Sequence, residues 1–146
     1  MKILQGEIFT TLKARYEQAF VNRESECYKE RILTKRRFSD GEFATAYLWD
    51  CMENTRKQSL QYCLELLRRQ ENVYVLWDVF SKEQVWIPNY YKYPAESCLL
   101  IPGSMVEELL PTLPEDVYFF DDSLSWTVVL THEDDGKRRY CVTVNC

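Results

Sequence analysis

The last third of the chain constrains the fold most. Three short runs, Val117–Phe120, Ser125–Thr131 and Arg138–Val144, are rich in β-branched and aromatic residues. They are parted by Asp121-Asp122-Ser123 and by Glu133-Asp134-Asp135-Gly136-Lys137. An Asp-Gly pair between two alternating runs favours a tight hairpin, because its residues accept positive φ and such a turn matches the strand twist. The three runs therefore predict an antiparallel meander. Upstream, Val73–Phe80 and Val85–Ile87 predict two strands around the polar 81–84 segment, and Cys98–Ile101 predicts another, ended by Pro102-Gly103. Ser104 to Glu107 has the S-x-x-E form of a capping box, which predicts a short helix after that break.

The first half has a different period. Ile8, Phe9, Leu12, Tyr16, Ala19 and Phe20 form the stripe of an amphipathic helix. A second helix is predicted over Glu24 to Arg37, with the basic end Lys35-Arg36-Arg37 where a helix C-terminus favours cations. Ser39-Asp40-Gly41-Glu42 is another capping box, followed by Phe43, Ala46, Tyr47 and Cys51 on one face and, after a break near Asn54, by Leu60, Cys63, Leu64 and Leu67. These patterns predict one α+β domain over residues 1–146. Residues 1–71 are mainly helical and 72–146 mainly strands with one short helix, so that N-terminal helices pack on one face of a mostly antiparallel sheet formed by the second half. A chain of 146 residues is long enough to bury a core without metals.

Several classes of function are excluded or disfavoured. No apolar run approaches the ~20 residues that cross a bilayer. Lys2 is followed by Ile3-Leu4-Gln5-Gly6-Glu7 rather than by the apolar core of a secretory signal, so a cytoplasmic protein without membrane contact is expected. The six cysteines, Cys27, Cys51, Cys63, Cys98, Cys141 and Cys146, show no C-x-x-C spacing and are expected to be reduced, buried small hydrophobes. Gly6, Gly41, Gly103 and Gly136 are the only glycines and none cluster, so no phosphate-cradling loop, and no cofactor, is expected.

Charge is segregated along the chain. Residues 1–37 hold nine Lys or Arg against five Glu, whereas Glu96 to Asp135 holds ten acids and no Lys or Arg. Such asymmetry can steer a charged partner. Pro88 to Pro94 encloses Tyr90, Tyr91 and Tyr93, and tyrosine gives rigid amphipathic contact area. Lys92 alone is too little cation for nucleic acid. The expectation is a small acidic, non-enzymatic module that binds another protein of basic character, in the manner of immunity or inhibitor proteins. Trp86, Tyr90 and Tyr91 would be apolar anchors, with Asp121, Asp122, Asp134 and Asp135 as steering charges. The rival expectation is a metal-dependent hydrolase. Asp121 and Asp122, with Glu133 and the one histidine, His132, would converge at one end of the sheet as an oxygen and nitrogen ligand set. Strict strand alternation places His132 with Trp126, Val128 and Leu130 and turns Glu133 the other way.

Trp77-Asp78-Val79-Phe80-Ser81-Lys82-Glu83, and then Tyr118-x-x-Asp121, Trp126-Thr127 and Thr131-His132-Glu133, resemble a small bacterial family built on a domain of unknown function. That family looks like W-x-x-F-S-x-E in mid-chain, followed by Y-x-x-D, W-T and T-H-E at similar spacing. The resemblance covers roughly residues 73–133 and implies that Trp126, His132 and Glu133 belong to one shared feature. It implies no activity. Asp78 stands where the pattern leads one to expect a histidine, which argues against a two-histidine metal site.

Overall fold

The structure, a computed structural model, describes residues 1–38, 41–78, 93, 94, 96–134 and 139–145. Among the described residues nine strands and three α-helices follow in the order β1 (Lys2–Gln5), α1 (Gly6–Phe20), β2 (Arg36–Phe38), β3 (Gly41–Phe43), β4 (Arg56–Gln58), α2 (Leu60–Arg68), β5 (Asn72–Trp77), β6 (Ser97–Pro102), α3 (Val106–Leu109), β7 (Val117–Phe120), β8 (Thr127–Asp134) and β9 (Arg139–Val144). The α+β class is the one the sequence predicts. Seven strands form one sheet in the order β1-β6-β5-β7-β8-β9-β4, antiparallel throughout. The predicted meander is its β7-β8-β9 half. The first half of the chain supplies both edges, β1 and β4.

Alternation along the strands gives the sheet two apolar faces. Tyr118, Phe120, Leu76, Val129 and Cys98 share one face with Leu12, Tyr16 and Phe20 of α1. Val117, Phe119, Val73, Val75, Val128 and Leu130 share the other with Cys63, Leu64 and Leu67 of α2 and Val106 of α3. Helices therefore cover both faces, not one. The reason is visible in β7, whose four residues are all buried: a strand apolar on both sides needs cover on both sides.

Two glycines fix how helices meet the sheet. Gly6 has φ +66° where β1 turns directly into α1, a conformation that strains any other residue. At Gly103 a Cβ would collide with the carbonyl oxygens of Leu67 and Gln70, so its absence lets the end of β6 meet the C-terminus of α2. The N-terminus of α2 is capped by Ser59, whose hydroxyl accepts from the Tyr62 N–H at 3.1 Å.

The chain between the two main helices differs from its prediction. Of the helix expected over 24–37, residues 26–33 are helical, the six from Tyr28 to Leu33 as a π-helix, and then comes β2, which pairs with β3 as a separate hairpin. Ser39 and Asp40 lie outside the described residues, but Gly41 to Phe43 is strand, and of the apolar positions after it Cys51 falls on a 3-10 turn, Leu48–Cys51, while Ala46 and Tyr47 precede that turn. Tertiary contacts decide this. A bridge between Val21 and Met52 and a hydrogen bond from Asn22 N–H to the Cys51 carbonyl at 3.1 Å close residues 22–52 into an excursion. Tyr28, Ile32, Ala46, Leu48 and Cys51 anchor it in the α1-side core. The expectation of reduced thiols is corrected for two of the six: Cys27 and Cys51 form a disulfide across this excursion, with Cα atoms 5.8 Å apart. Cys63, Cys98 and Cys141 are buried.

Candidate functional site

Strand register divides the residues that the sequence brings together. Phe120 pairs with Thr127 and Val117 with Leu130, so Asp121 and Asp122 lie beyond one end of the β7-β8 pair and His132 lies beyond the other. Five residues separate Thr127 from His132, roughly 16 Å at about 3.3 Å per strand residue. Direct metal ligands must sit ~2.0–2.6 Å from one ion, so Asp121 and Asp122 cannot share one with His132. The convergence expected for the hydrolase site is thereby corrected: a β7-β8 hairpin puts its turn acids at the turn, and His132 lies at the open end. Among the described residues no group of three or more metal-ligating side chains occurs.

The partner that His132 does find is Asp116, the residue before β7. Its Oδ1 accepts from the His132 backbone N–H at 3.0 Å and from the Trp49 indole N–H at 3.0 Å. It also faces the His132 ring Nδ1 at 3.1 Å, with Oδ2 at 3.2 Å. A carboxylate only accepts, so Nδ1 carries the proton in this pair. Asp116 is buried, 8% exposed along its side chain, whereas the His132 side chain is 38% exposed. The β8-β9 register shifts between Leu130 and Asp134, so His132 lies in an irregular stretch where strict alternation need not hold. Strict alternation would leave His132 on the α2 side with Leu130. Instead its ring lies 4.9 Å from that of Tyr47 and 6.1 Å from that of Trp49, which packs against the α1-side core.

Tyr47 and Trp49 come from the excursion. Their rings stack, centroids 5.5 Å apart and planes at 17°. Beneath them Asp78, just past β5, accepts from the Leu48 N–H at 3.2 Å and from the Tyr118 hydroxyl at 2.5 Å, while that hydroxyl accepts from the Trp49 N–H at 3.0 Å. The turn that bears the aromatic pair is thus held by three acceptors belonging to the sheet and its strand ends. Burial pushes the Asp78 carboxyl up to about 7, opposed by the Tyr118 and Leu48 hydrogen bonds and assisted by the charge of Asp116. Burial, and then the charges of Asp116, Asp78, Asp50 and Glu115, push the Tyr47 phenol up to about 12. Tyr47, Trp49 and His132 therefore form a partly exposed aromatic surface surrounded by carboxylates, and among the described residues no Lys or Arg ion pair neutralises those carboxylates.

The other expected site residues are placed as follows. Asp121 accepts from the backbone N–H of Ser123 at 2.9 Å, a turn-forming bond. Asp122 accepts from the Tyr74 hydroxyl at 2.7 Å and borders an open cavity of about 390 Å³ lined also by Leu4, Ile8 and Arg15. Trp126 is half-buried against the α2-side core. Glu133 and Asp134 are placed by their backbone, at the end of β8 next to His132. Trp86, Tyr90, Tyr91 and Asp135 lie outside the described residues. Sequence reasoning missed Tyr47, Trp49, Asp78 and Asp116. The one signal for Asp116 was its position directly before a strand whose hairpin partner carries His132 near its far end.

No family model, curated protein or solved structure matches this chain. Among the described residues no helix is long and apolar enough to cross a membrane.

Proposed function

We propose that this protein is a non-enzymatic binding module whose partner is another protein of basic character, gripped by the surface of Tyr47, Trp49 and His132. The observation that carries the reading is the preorganisation of that surface. Two stacked rings and an imidazole are held by Asp116 and Asp78 before any partner arrives, and fixed aromatic side chains are the residue types that dominate binding energy. The surrounding carboxylates match a basic partner and would raise its association rate.

The other expected anchors and charges are near this surface in the sequence. Glu133, Asp134 and Asp135 follow His132 directly, and the segment with Trp86, Tyr90 and Tyr91 begins one residue after Asp78. The steering role read for Asp121 and Asp122 becomes a long-range one, since they flank the opposite end of the sheet. In this reading Thr131-His132-Glu133 is the part of the bacterial-family pattern that serves binding. A cytoplasmic setting is also part of the proposal, and in a reducing compartment the Cys27–Cys51 bond would be a transient or redox-sensing one.

The test is an affinity capture from the protein's own host at low and moderate salt, comparing the unmodified chain with Trp49→Ala and His132→Ala. The expected result is one stoichiometric basic protein, captured by the unmodified chain and lost with Trp49→Ala. Capture of no stoichiometric protein at either salt, or equal capture by all three chains, would sink the proposal.

A further inference from the structure

The proposed binding surface is assembled from two parts of the chain, and only one of them belongs to the sheet. Asp78, Asp116, Tyr118 and His132 stand on or beside β5, β7 and β8. Tyr47 and Trp49 ride on the 22–52 excursion, which adds no strand to the sheet. The disulfide joins Cys27, before the π turn, to Cys51, two residues after Trp49 and on the same 3-10 turn.

We propose that the Cys27–Cys51 disulfide is a redox switch for this surface, holding Tyr47 and Trp49 in place when oxidised and releasing them when an external dithiol reduces it. The inference rests on the binding reading for its consequence, and on geometry alone for its mechanism. The bond closes a loop of sequence separation 24 that contains both aromatic residues. Among the described residues that loop is also tied by the Val21–Met52 bridge and the Asn22–Cys51 hydrogen bond at its base, by the β2-β3 pairing and by buried side chains such as Tyr28 and Leu48, and the hydrogen bonds that join its two arms are local. Thr45 N–H donates to the Arg31 carbonyl at 2.9 Å and the Arg31 guanidinium to the Thr45 carbonyl at 3.3 Å. The turn itself adds the bond from Tyr47 N–H to Asp50 Oδ2 at 3.0 Å, and the Leu48 and Trp49 N–H groups donate to acceptors of the sheet and its strand ends, which requires the turn to be already in place. Removing the cross-link restores to the loop the conformational entropy that closure had removed.

The chemistry balances with a dithiol as reductant. Its thiolate attacks Sγ of Cys27, which is only half-buried, and the Sγ–Sγ bond breaks. Cys51 leaves as a thiolate and takes a proton from water. The second thiol of the reductant, deprotonated, then attacks its own sulfur in the mixed disulfide and expels Cys27 as a thiolate, which is protonated in turn. The protein gains two electrons and two protons, and the dithiol becomes a cyclic disulfide. In a reducing cytoplasm the surface would be open by default and would form under oxidative conditions.

The experiment compares the full-length chain, air-oxidised and after dithiothreitol, by counting alkylated thiols and by hydrogen–deuterium exchange. Alkylation is expected to find two fewer of the six thiols in the oxidised sample. On reduction, exchange at the amides of residues 44–52 should rise about tenfold or more, while β5, β7 and β8 stay unchanged. Cys27→Ser, which leaves the more buried Cys51 thiol in the core, should match the reduced form without reductant. All six thiols reactive after oxidation, or unchanged exchange over 44–52 in a fully reduced sample, would overturn the switch. So would loss of protection throughout the sheet, since the bond would then be a general stabiliser. Partner capture in the two redox states separates the two proposals: altered exchange with unaltered capture removes the binding surface and leaves the switch, and capture lost with unaltered exchange removes the switch alone.

Discussion

The seven-stranded sheet and the 22–52 excursion are built by different rules. In the sheet each central strand is paired on both sides and buried on both faces, so every residue is specified several times over, by alternation, by register and by packing. The excursion has one bridge, one short hairpin, a disulfide and a handful of buried side chains, and its turns form because distant residues accept their N–H groups. The candidate site lies where these two regions meet. A rigid sheet supplies the acceptors and a loosely specified segment supplies the aromatic contact surface, an arrangement common among binding proteins whose loops sit on scaffolds.

The comparison can be broken most forcefully in the sheet. Phe119 is fully buried at its centre, so Phe119→Ala should cost about 4 kcal/mol of unfolding free energy in urea. A loss below about 1 kcal/mol would mean that the sheet core is not where stability resides. Asp116→Ala attacks the junction instead. It leaves the Trp49 indole N–H and the His132 backbone N–H without their acceptor, and should cost about 2 kcal/mol in the same measurement.

Asp78 gives a pH-dependent version of the same test. Its carboxyl is raised in the folded protein to about 7 from an ordinary value of 3.8, so the folded state holds this proton more tightly than the unfolded chain. Stability from this group is therefore full below pH 3.8 and is lost as pH rises towards 7. Asp78→Asn, which cannot ionise, should raise the melting temperature at pH 8 and leave it unchanged near pH 4. An equal effect at both values would show that the carboxyl is not held neutral by burial. The smallest effect belongs at the other end of the sheet. Tyr74→Phe removes the exposed bond to Asp122 and should cost about 0.5 kcal/mol, with no change in partner capture.

What was legible in the sequence follows the same division. The strands β5, β6, β7, β8 and β9 and the helices α1 and α2 could be read from periodicity, because burial in the sheet and its helices obeys a fixed period. Cover on both faces was implied by unbroken apolar runs such as Val117 to Phe120, but only pairing made it evident. The excursion was misread as helix because Phe43, Ala46, Tyr47 and Cys51 have helical spacing, and nothing local reveals that a disulfide and a bridge will claim the segment. His132 was found as the sole imidazole, yet its partner was not. Turn acids at Asp121 and Asp122 looked nearer than Asp116 until register placed them at the opposite end of β7, and alternation could not foresee the register shift after Leu130.

The pairing of His132 with Asp116 is the centre of this account, and the chain has only one histidine to observe. Proton NMR of that imidazole in the unmodified protein, in Asp116→Asn and in the double variant Asp121→Asn with Asp122→Asn tests it directly. The account predicts a downfield, slowly exchanging Nδ1–H signal that is lost in Asp116→Asn and unmoved in the double variant. A signal indifferent to Asp116 and displaced by the double variant would contradict it.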